Sequence, residues 1–260
     1  MPKIIPHLPP RNHGEKAENT PCRRGPGRKV LSACVLAGIL QAPASPAGTN
    51  NMAGNWSSLT LSGDLSFLSP DWKDFHWLIL EQTRLRDDSP DGFRFTENLL
   101  FGQLGYAINP HVSIWLGYIH DWIHPLNKPA LQENRPYEDL LFKYAFGEFK
   151  LTARSRLEQR ISQSNGNVGI RVRQWVQGAY PLSFVDDRLS AYVGDEVLVY
   201  ANQNDFGPTG FSENRAMAGL SYQFTKQFGA DLGYLGQYIV VKPGNDIFTH
   251  NVQFNLRYAF

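Results

Sequence analysis

The last fourteen residues of the chain alternate between apolar and polar side chains up to the C-terminal residue. The apolar positions share one parity and are Val252, Phe254, Leu256, Tyr258 and Phe260. The polar positions share the other parity and are Thr249, Asn251, Gln253, Asn255 and Arg257. Alternation with period two predicts a β-strand with one apolar and one polar face. Both the edge of a soluble sheet and the wall of a membrane barrel use such a strand.

A terminal strand that ends in Phe, with Tyr two residues before it, resembles the insertion signal of bacterial outer-membrane β-barrels. We therefore expect Phe254, Leu256, Tyr258 and Phe260 to face lipid and to act as that signal. No run approaches the roughly 20 apolar residues that a transmembrane helix needs. If the chain spans a membrane, it must do so as a closed barrel, because only helices and closed barrels satisfy every backbone group in lipid.

Residues 1–47 differ in kind from the rest and are predicted to be a cleaved signal peptide. A basic stretch with Arg23, Arg24, Arg28 and Lys29 precedes the apolar run Val30–Leu40, and small residues suited to cleavage follow it. The basic stretch is unusually long. Such a signal predicts export to the outer membrane of a Gram-negative cell.

The chain after residue 47 has a composition that excludes several classes of function. Seven of the 25 basic residues and two of the 24 acidic residues lie before residue 48, so the remainder carries a formal net charge of −4. That charge argues against nucleic acid as a partner. Both cysteines, Cys22 and Cys34, lie in the predicted signal peptide, which leaves no thiol for a disulfide or a metal site.

Eleven candidate strands with period-two alternation follow one another without a helical segment of useful length. They cover residues 56–67, 72–86, 93–108, 112–122, 133–146, 149–161, 168–182, 188–202, 214–224, 228–241 and 248–260. Several reach ten residues, about the length that crosses a bilayer when tilted. We predict an all-β fold, an antiparallel up-and-down transmembrane β-barrel of 10–12 strands over residues 56–260. Twelve strands are favoured, because an even number places both chain ends on one side, and residues 48–55 form a short segment that could supply the missing strand.

The connections between these strands alternate in length. Those at 109–111, 147–148, 183–187 and 225–227 are tight, while those at 87–92, 123–132, 162–167, 203–211 and 242–246 are mostly longer. Short periplasmic turns and longer external loops are typical of outer-membrane barrels. The alternation therefore predicts that the chain ends at the periplasmic side.

Charged residues recur on one face of the strand that begins at Phe149. Arg154, Arg156, Glu158 and Arg160 share one parity, and each cation would cost roughly 2–4 kcal/mol in the lipid midplane. We therefore predict that they point into the barrel. The predicted polar network of the lumen is Arg154, Arg156, Glu158, Arg160, Arg171, Arg173, Glu196 and Arg215. Earlier strands add Arg94, Glu97, Glu133, Arg135 and Asp139.

This network has three interpretations. It can fill the lumen as a set of structural ion pairs, it can form a selective constriction for an anionic or zwitterionic solute, or it can contain a catalytic carboxylate pair such as Glu158 with Glu196. His111 with Ser113, and His120 and Asp121 with His124, are weaker candidates for a nucleophile–base pair and a metal site. We predict no cofactor, no metal and no catalytic residue, and we do not expect an enzyme.

Several short motifs resemble the domain-of-unknown-function 2490 family of bacterial outer-membrane barrels. They are Trp56, Leu116-Gly117-Tyr118, Glu133 with Arg135, the charged strand from Phe149 to Ile161, Arg171 with Arg173, Asp195-Glu196, and Asn214-Arg215 with Gly219, Leu220 and Tyr222. The resemblance covers roughly residues 54–260. It implies an outer-membrane barrel and carries no known activity.

The leading hypothesis is a narrow channel or a small-solute binding barrel with a lumen lined by Arg and Glu. A lipid-modifying enzyme of the outer membrane, acting on lipid A or phospholipid, is one alternative, and a structural or adhesive barrel that acts through its external loops is another. The expected partners are outer-membrane lipids, the barrel assembly machinery and a small solute. The sequence does not determine the oligomeric state.

Overall fold

The computed structural model describes residues 48–87, 91–126, 129–241 and 243–260. The predicted signal peptide lies outside them. Within the described residues the chain is almost entirely β-structure. Its strands are β1 Asn50–Asp64, β2 Phe75–Asp87, β3 Phe93–Asn109, β4 Val112–Ile123, β5 Leu131–Phe146, β6 Phe149–Ser162, β7 Val168–Pro181, β8 Leu189–Tyr200, β9 Gly210–Gln223, β10 Phe228–Ile239 and β11 Ile247–Ala259. A three-residue 3-10 helix, Pro70–Trp72, lies between β1 and β2.

The eleven strands form one closed barrel, which confirms the predicted fold class. Consecutive strands pair antiparallel, whereas β1 and β11 pair parallel over thirteen residue pairs, from Asn50 with Ile247 to Ser62 with Ala259. The described barrel has one strand fewer than the twelve favoured above. Residues 50–55 do not form a separate strand; they are the first part of β1, which is longer than expected. An odd number of up-and-down strands leaves the first and last running in the same direction, so only a parallel pair can close the wall.

The connections between strands differ in length at the two ends of the barrel. The tight-turn end carries the connections at 110–111, 147–148, 182–188 and 224–227, together with a ten-residue connection at 65–74. The long-loop end carries those at 88–92, 124–130, 163–167, 201–209 and 240–246. Because β1 and β11 are parallel, β1 begins at the long-loop end and β11 finishes at the tight-turn end. The start of the barrel and the end of the chain are therefore on opposite sides, unlike the even-numbered arrangement that we expected.

Local chemistry explains two of the tight turns. The Asn109 side-chain oxygen accepts hydrogen bonds from the backbone N–H groups of His111 (2.8 Å) and Val112 (2.9 Å), which reverses the chain between β3 and β4. Gly147 has a φ of 63°, a conformation that glycine adopts at little cost, and it allows β5 and β6 to join through two residues.

The outer surface of the barrel is apolar on every strand. Each of the eleven strands exposes at least one large apolar side chain on its outward parity. One example from each, in order, is Leu59, Ile79, Leu104, Leu116, Leu140, Leu157, Val172, Val193, Leu220, Leu232 and Phe254. On β11, Thr249 and Asn251 are buried inside while Val252 is exposed outside, as the alternation predicted. A soluble protein rarely exposes apolar surface that is continuous around its whole circumference.

The outer surface also differs between the two ends. Aromatic side chains cluster near the tight turns, where Tyr144 stacks on Phe142 and makes a tilted contact with Phe146, and Tyr258 packs edge-on against Phe260. Towards the long loops, outward polar side chains pair with one another. They are Glu81 with Thr83 and Asn98, His120 with Asn134, Glu138 with Gln159, Asp195 with Asn214, and Tyr234 with His250. The most apolar zone of the wall is therefore the half nearer the tight turns.

No helix in the described part of the chain is long and apolar enough to cross a membrane.

Glycines on the inner face make room for aromatic rings that reach across the lumen. A Cβ atom on Gly117 would lie 2.1 Å from a ring carbon of Tyr137, which packs with Leu99 and Ile119 in the apolar core cluster. The Tyr137 hydroxyl donates a hydrogen bond to Gln103 (2.8 Å). The ring therefore occupies space that only a glycine on the neighbouring strand leaves free.

We predict that Gly117→Ala destabilises the folded barrel by about 1–3 kcal/mol, because the new methyl group overpacks the Tyr137 ring. The free energy of unfolding in urea, measured on the detergent-folded protein, tests this. Gly102→Ala is the matched control, since a Cβ atom there meets nothing within 4 Å. Equal stability of the two variants would contradict the prediction.

Candidate functional site in the barrel interior

The interior holds an ion-pair network of eight arginines and seven carboxylates from eight strands, β2 to β9. The arginines are Arg84, Arg135, Arg154, Arg156, Arg160, Arg171, Arg173 and Arg215. The carboxylates are Glu97, Asp121, Glu133, Asp139, Glu158, Glu196 and Glu213. The two signs almost balance. This is the condition under which charges can be buried together.

One group of pairs is centred on Arg135 of β5. Its guanidinium contacts Asp121 on β4 and Glu133 on its own strand, and it lies 3.7 Å from Glu97 on β3. Arg84 reaches the same Glu97 at 2.5 Å, and Arg160 donates to Glu133 at 2.7 Å. This group therefore links β2 to β6.

A second group is centred on Glu158 and Glu196. Glu158 is fully buried and accepts hydrogen bonds from Arg171 (2.6 Å) and Arg173 (2.6 Å), with Arg156 at 3.6 Å. Arg156 also makes a bidentate pair with Asp139 at 2.6 and 2.7 Å. These contacts bind β5, β6 and β7 together on the inner face.

Glu196 is shared by three guanidinium groups. Arg154 and Arg173 donate to it at 2.7 Å, and Arg215 donates at 3.1 Å. Arg173 and Arg215 each have a second carboxylate, Glu158 and Glu213 respectively. Within the described residues Arg154 has no other acidic partner.

Two aromatic side chains join the two groups. The Trp56 ring lies between Arg84 (3.7 Å from the ring centre) and Arg215 (4.9 Å). The Tyr200 hydroxyl accepts a hydrogen bond from Arg160 (2.5 Å), and its ring faces Arg171 at 5.7 Å. Guanidinium groups are attracted to the faces of aromatic rings, so both contacts are favourable.

Neutral polar groups extend the network to the last two strands. Glu213 accepts a hydrogen bond from Gln237 (2.6 Å), Thr249 donates to Gln237 (3.0 Å), and Asn251 donates to Thr249 (2.8 Å). With Trp56 on β1, every strand of the barrel contributes to one layer that crosses the interior.

This layer separates cavities of different size. Two larger cavities, of about 730 and 660 Å³, lie on the tight-turn side, and both are lined by Arg154 and Trp175. A smaller cavity of about 170 Å³ lies on the long-loop side, between the network and residues such as Phe206 and Val240. Among the described residues, the interior space on the tight-turn side of the layer is therefore larger than the space between the layer and the long loops.

The rim of the larger cavity carries an exposed ion pair in the turn at 182–188. Asp186 accepts hydrogen bonds from Arg188 at 3.1 Å (Nε) and 2.9 Å (Nη2), and these hydrogen bonds hold the pKa of the Asp186 carboxyl well below its usual range. The same contacts raise the pKa of Arg188. Both side chains are thus charged at neutral pH, and each neutralises the other.

Comparison with known proteins identifies the family. Residues 53–248 match the family described as "Protein of unknown function (DUF2490)". The chain belongs to this family. A relative in the same comparison is an uncharacterized protein of Methylorubrum extorquens, 25% identical over 231 residues, which are 87% of this chain and 95% of the relative. The resemblance seen in the sequence motifs is thereby confirmed, and the family description states no activity.

All eight residues of the predicted lumen network lie in the ion-pair network of this family member. Three further members were missed or misplaced. Arg84 lies on a strand of ambiguous register, Glu213 precedes the expected start of its strand, and Asp121 was grouped with His120, which faces outward and contacts Asn134. Parity would have found Glu213, because it matches that of Arg215. The outward face of β11 carries Phe254, Leu256, Tyr258 and Phe260, and their role as an insertion signal stays a prediction.

The other candidate constellations do not come together. His111 Nδ1 lies 3.1 Å from the backbone oxygen of Lys143, and the Ser113 hydroxyl accepts from Trp115, so the two residues form no nucleophile–base pair. His124 packs against Phe95. Among the described residues no group of three His, Cys, Asp or Glu side chains could hold a metal ion.

We predict that Glu158→Gln lowers the free energy of unfolding by about 3–5 kcal/mol. The amide keeps the shape of the side chain but leaves three arginines without their shared negative charge. Urea unfolding of the detergent-folded barrel measures the change. Glu148→Gln, in the exposed turn at 147–148, is the matched control and should stay within about 0.5 kcal/mol of the wild type. A Glu158→Gln barrel as stable as this control would refute the importance of the network.

Proposed function

We propose that this protein is an outer-membrane barrel that binds a small solute in its interior, with the tight-turn end in the periplasm, and that it does not form an open channel. The ion-pair network is the observation that carries this proposal. Every strand contributes a side chain to the layer that contains it, and its central carboxylates are buried against their arginine partners.

The outer wall supports a location in a bilayer. Large apolar side chains surround the barrel, and aromatic residues are concentrated near the tight turns, where an interfacial girdle is expected. A closed wall leaves no unpaired strand edge in lipid. The predicted signal peptide supports export to the same membrane.

The position of the outward polar pairs suggests how deep the barrel lies. Glu81, Glu138 and Asp195 face outward near the middle of their strands, where the more aromatic half of the wall ends. Charged groups on the lipid face are destabilising and least so near the interface. The hydrocarbon core would therefore contact the half nearer the tight turns, and the long-loop half would extend towards the headgroups and beyond.

The closed layer favours binding over conduction. A solute that passed through would have to separate several buried ion pairs, and each broken pair leaves an uncompensated charge. The two larger cavities remain open for a ligand on the tight-turn side. Short turns are periplasmic in barrels of this kind, so the solute would enter from the periplasm.

We predict that bilayer contact protects the apolar zone from water-soluble reagents. In a Cys22→Ser, Cys34→Ser background, single cysteines are introduced as Leu232→Cys, on the exposed wall, and Phe184→Cys, in an exposed turn. A membrane-impermeant maleimide should label the cysteine at 184 in nanodiscs and the cysteine at 232 only after unfolding. Equal labelling of both in nanodiscs would argue against a bilayer around this zone.

We predict that the wild-type barrel gives no conductance steps in planar bilayers. The double variant Arg156→Ala, Glu158→Ala keeps the net charge and removes material from the closing layer, so it should give resolved steps. A double variant in the turns, Glu148→Ala with Lys226→Ala, removes one charge of each sign at the tight-turn end and should stay closed. Wild-type steps that the network variant leaves unchanged would favour a channel.

A further inference from the structure

Arg154 differs from the other arginines of the interior because its charge is poorly compensated. Its Nη2 atom donates to Glu196 at 2.7 Å, but that carboxylate also serves Arg173 and Arg215. Its Nε atom is buried and has no hydrogen-bond partner among the described residues. With one shared carboxylate and one unpaired donor, the charge of Arg154 is incompletely compensated, so an anion beside its guanidinium group would be stabilised.

The surroundings of Arg154 reinforce the excess of positive charge. The larger cavity is lined by nine arginine and lysine side chains and by three carboxylates. Seven of those cations have carboxylate partners of their own: Arg188 and Arg257 pair with Asp186 and Asp231, and the other five belong to the ion-pair network. The excess of positive charge is therefore confined to Arg154 and Lys150. Lys150, which lines the same cavity, has no carboxylate partner within the described part of the chain. A cavity with this imbalance attracts anions.

An aromatic surface lies beside the same guanidinium group. The Arg154 guanidinium carbon is 5.5 Å from the centre of the Trp175 ring, and both side chains line both larger cavities. Trp115 lines the second cavity, with its indole N–H bound to Ser113. A ligand whose charged end meets Arg154 can therefore place an apolar or planar part against indole rings. Sites of this composition are typical of small organic ligands.

We propose that the cavity around Arg154 and Trp175 binds a small organic anion, a carboxylate or phosphate ester with an apolar or planar body. The anionic group pairs with the Arg154 guanidinium and lies within reach of Lys150, and the body packs on Trp175. This inference rests on the proposed solute-binding function and names the class of solute.

Isothermal titration of the detergent-folded full chain tests the charge requirement. Phenyl phosphate is the probe, benzylamine is its cationic counterpart and phenol is its neutral one. Phenyl phosphate should bind with measurable heat, and inorganic phosphate should bind more weakly because it lacks the ring. Benzylamine and phenol should not compete with phenyl phosphate for the site. Benzylamine or phenol binding as tightly as phenyl phosphate would overturn the proposal without any variant.

Substitutions then test the residues. Arg154→Gln should weaken phenyl phosphate binding by at least tenfold, and Lys150→Gln should weaken it by a smaller factor. Lys226→Gln is the matched control, because it removes one positive charge at the same end of the barrel but does not line the cavity. Heat-modifiable mobility on gels verifies that each variant is folded. Undiminished affinity in a folded Arg154→Gln barrel would refute the site, and if that variant does not fold, Lys150→Gln and the probe series decide.

A phosphate group could reach this cavity on a soluble ester or on a lipid headgroup. Dihexanoyl phosphatidate, titrated in parallel, separates the two sources, since tighter Arg154-dependent binding of that compound than of phenyl phosphate assigns the site to a lipid. If no anion binds while wild-type bilayers stay silent and the cysteine at 232 stays protected, the anion site is wrong and the closed membrane barrel stands. If the bilayer conducts, the proposed function fails by itself.

Discussion

Mutual compensation of buried charge is the constraint on which the rest of this barrel depends. In the described part of the chain, eight guanidinium groups join one buried network inside the wall, where an unpaired cation would be strongly destabilising. They are tolerated because seven carboxylates lie between them, so that Glu158 serves three arginines and Glu196 serves three. Each inner-face position on the central strands therefore depends on its neighbours. The layer of ion pairs also links neighbouring strands of the wall to one another on their inner faces.

The closure of the wall and the closure of the lumen depend on each other. The antiparallel pairing of β1 with β2 places Trp56 beside Arg84, and the parallel pairing of β1 with β11 closes the wall so that the same ring also lies 4.9 Å from Arg215 on β9. Tyr200 supplies a second link between the two ion-pair groups, through its contacts with Arg160 and Arg171. The odd number of strands sets the direction of the closing pair, and through that pair it affects which side chains meet in the interior.

Charge and apolar surface are distributed unevenly along the barrel axis. Near the long loops the inner face is filled with balanced charges, and the outer face carries polar pairs such as Asp195 with Asn214. Near the tight turns the inner face is hollow and has an excess of positive charge around Arg154, while the outer face is aromatic. The half with the more aromatic outer face is thus also the half with the larger cavities, and the proposal that a solute binds there rests on this coincidence.

The sequence by itself determined the class of fold and, on strands with clear alternation such as β6 and β11, the side of the wall that each residue faces, because side-chain alternation is a local property of an extended backbone. It was sufficient to place Arg154, Glu158 and Arg173 inside and Leu157 outside. It could not determine the strand number, since residues 50–55 lack clear alternation and the parallel seam with β11 joins residues about two hundred positions apart. Which arginine pairs with which carboxylate, and that Arg154 is left with too little negative charge, depended on register and bulges such as the one at Arg84. The register and the bulges are fixed only when all eleven strands have paired into the closed barrel. The partner of a side chain across a sheet is set by this tertiary pairing and not by distance along the sequence.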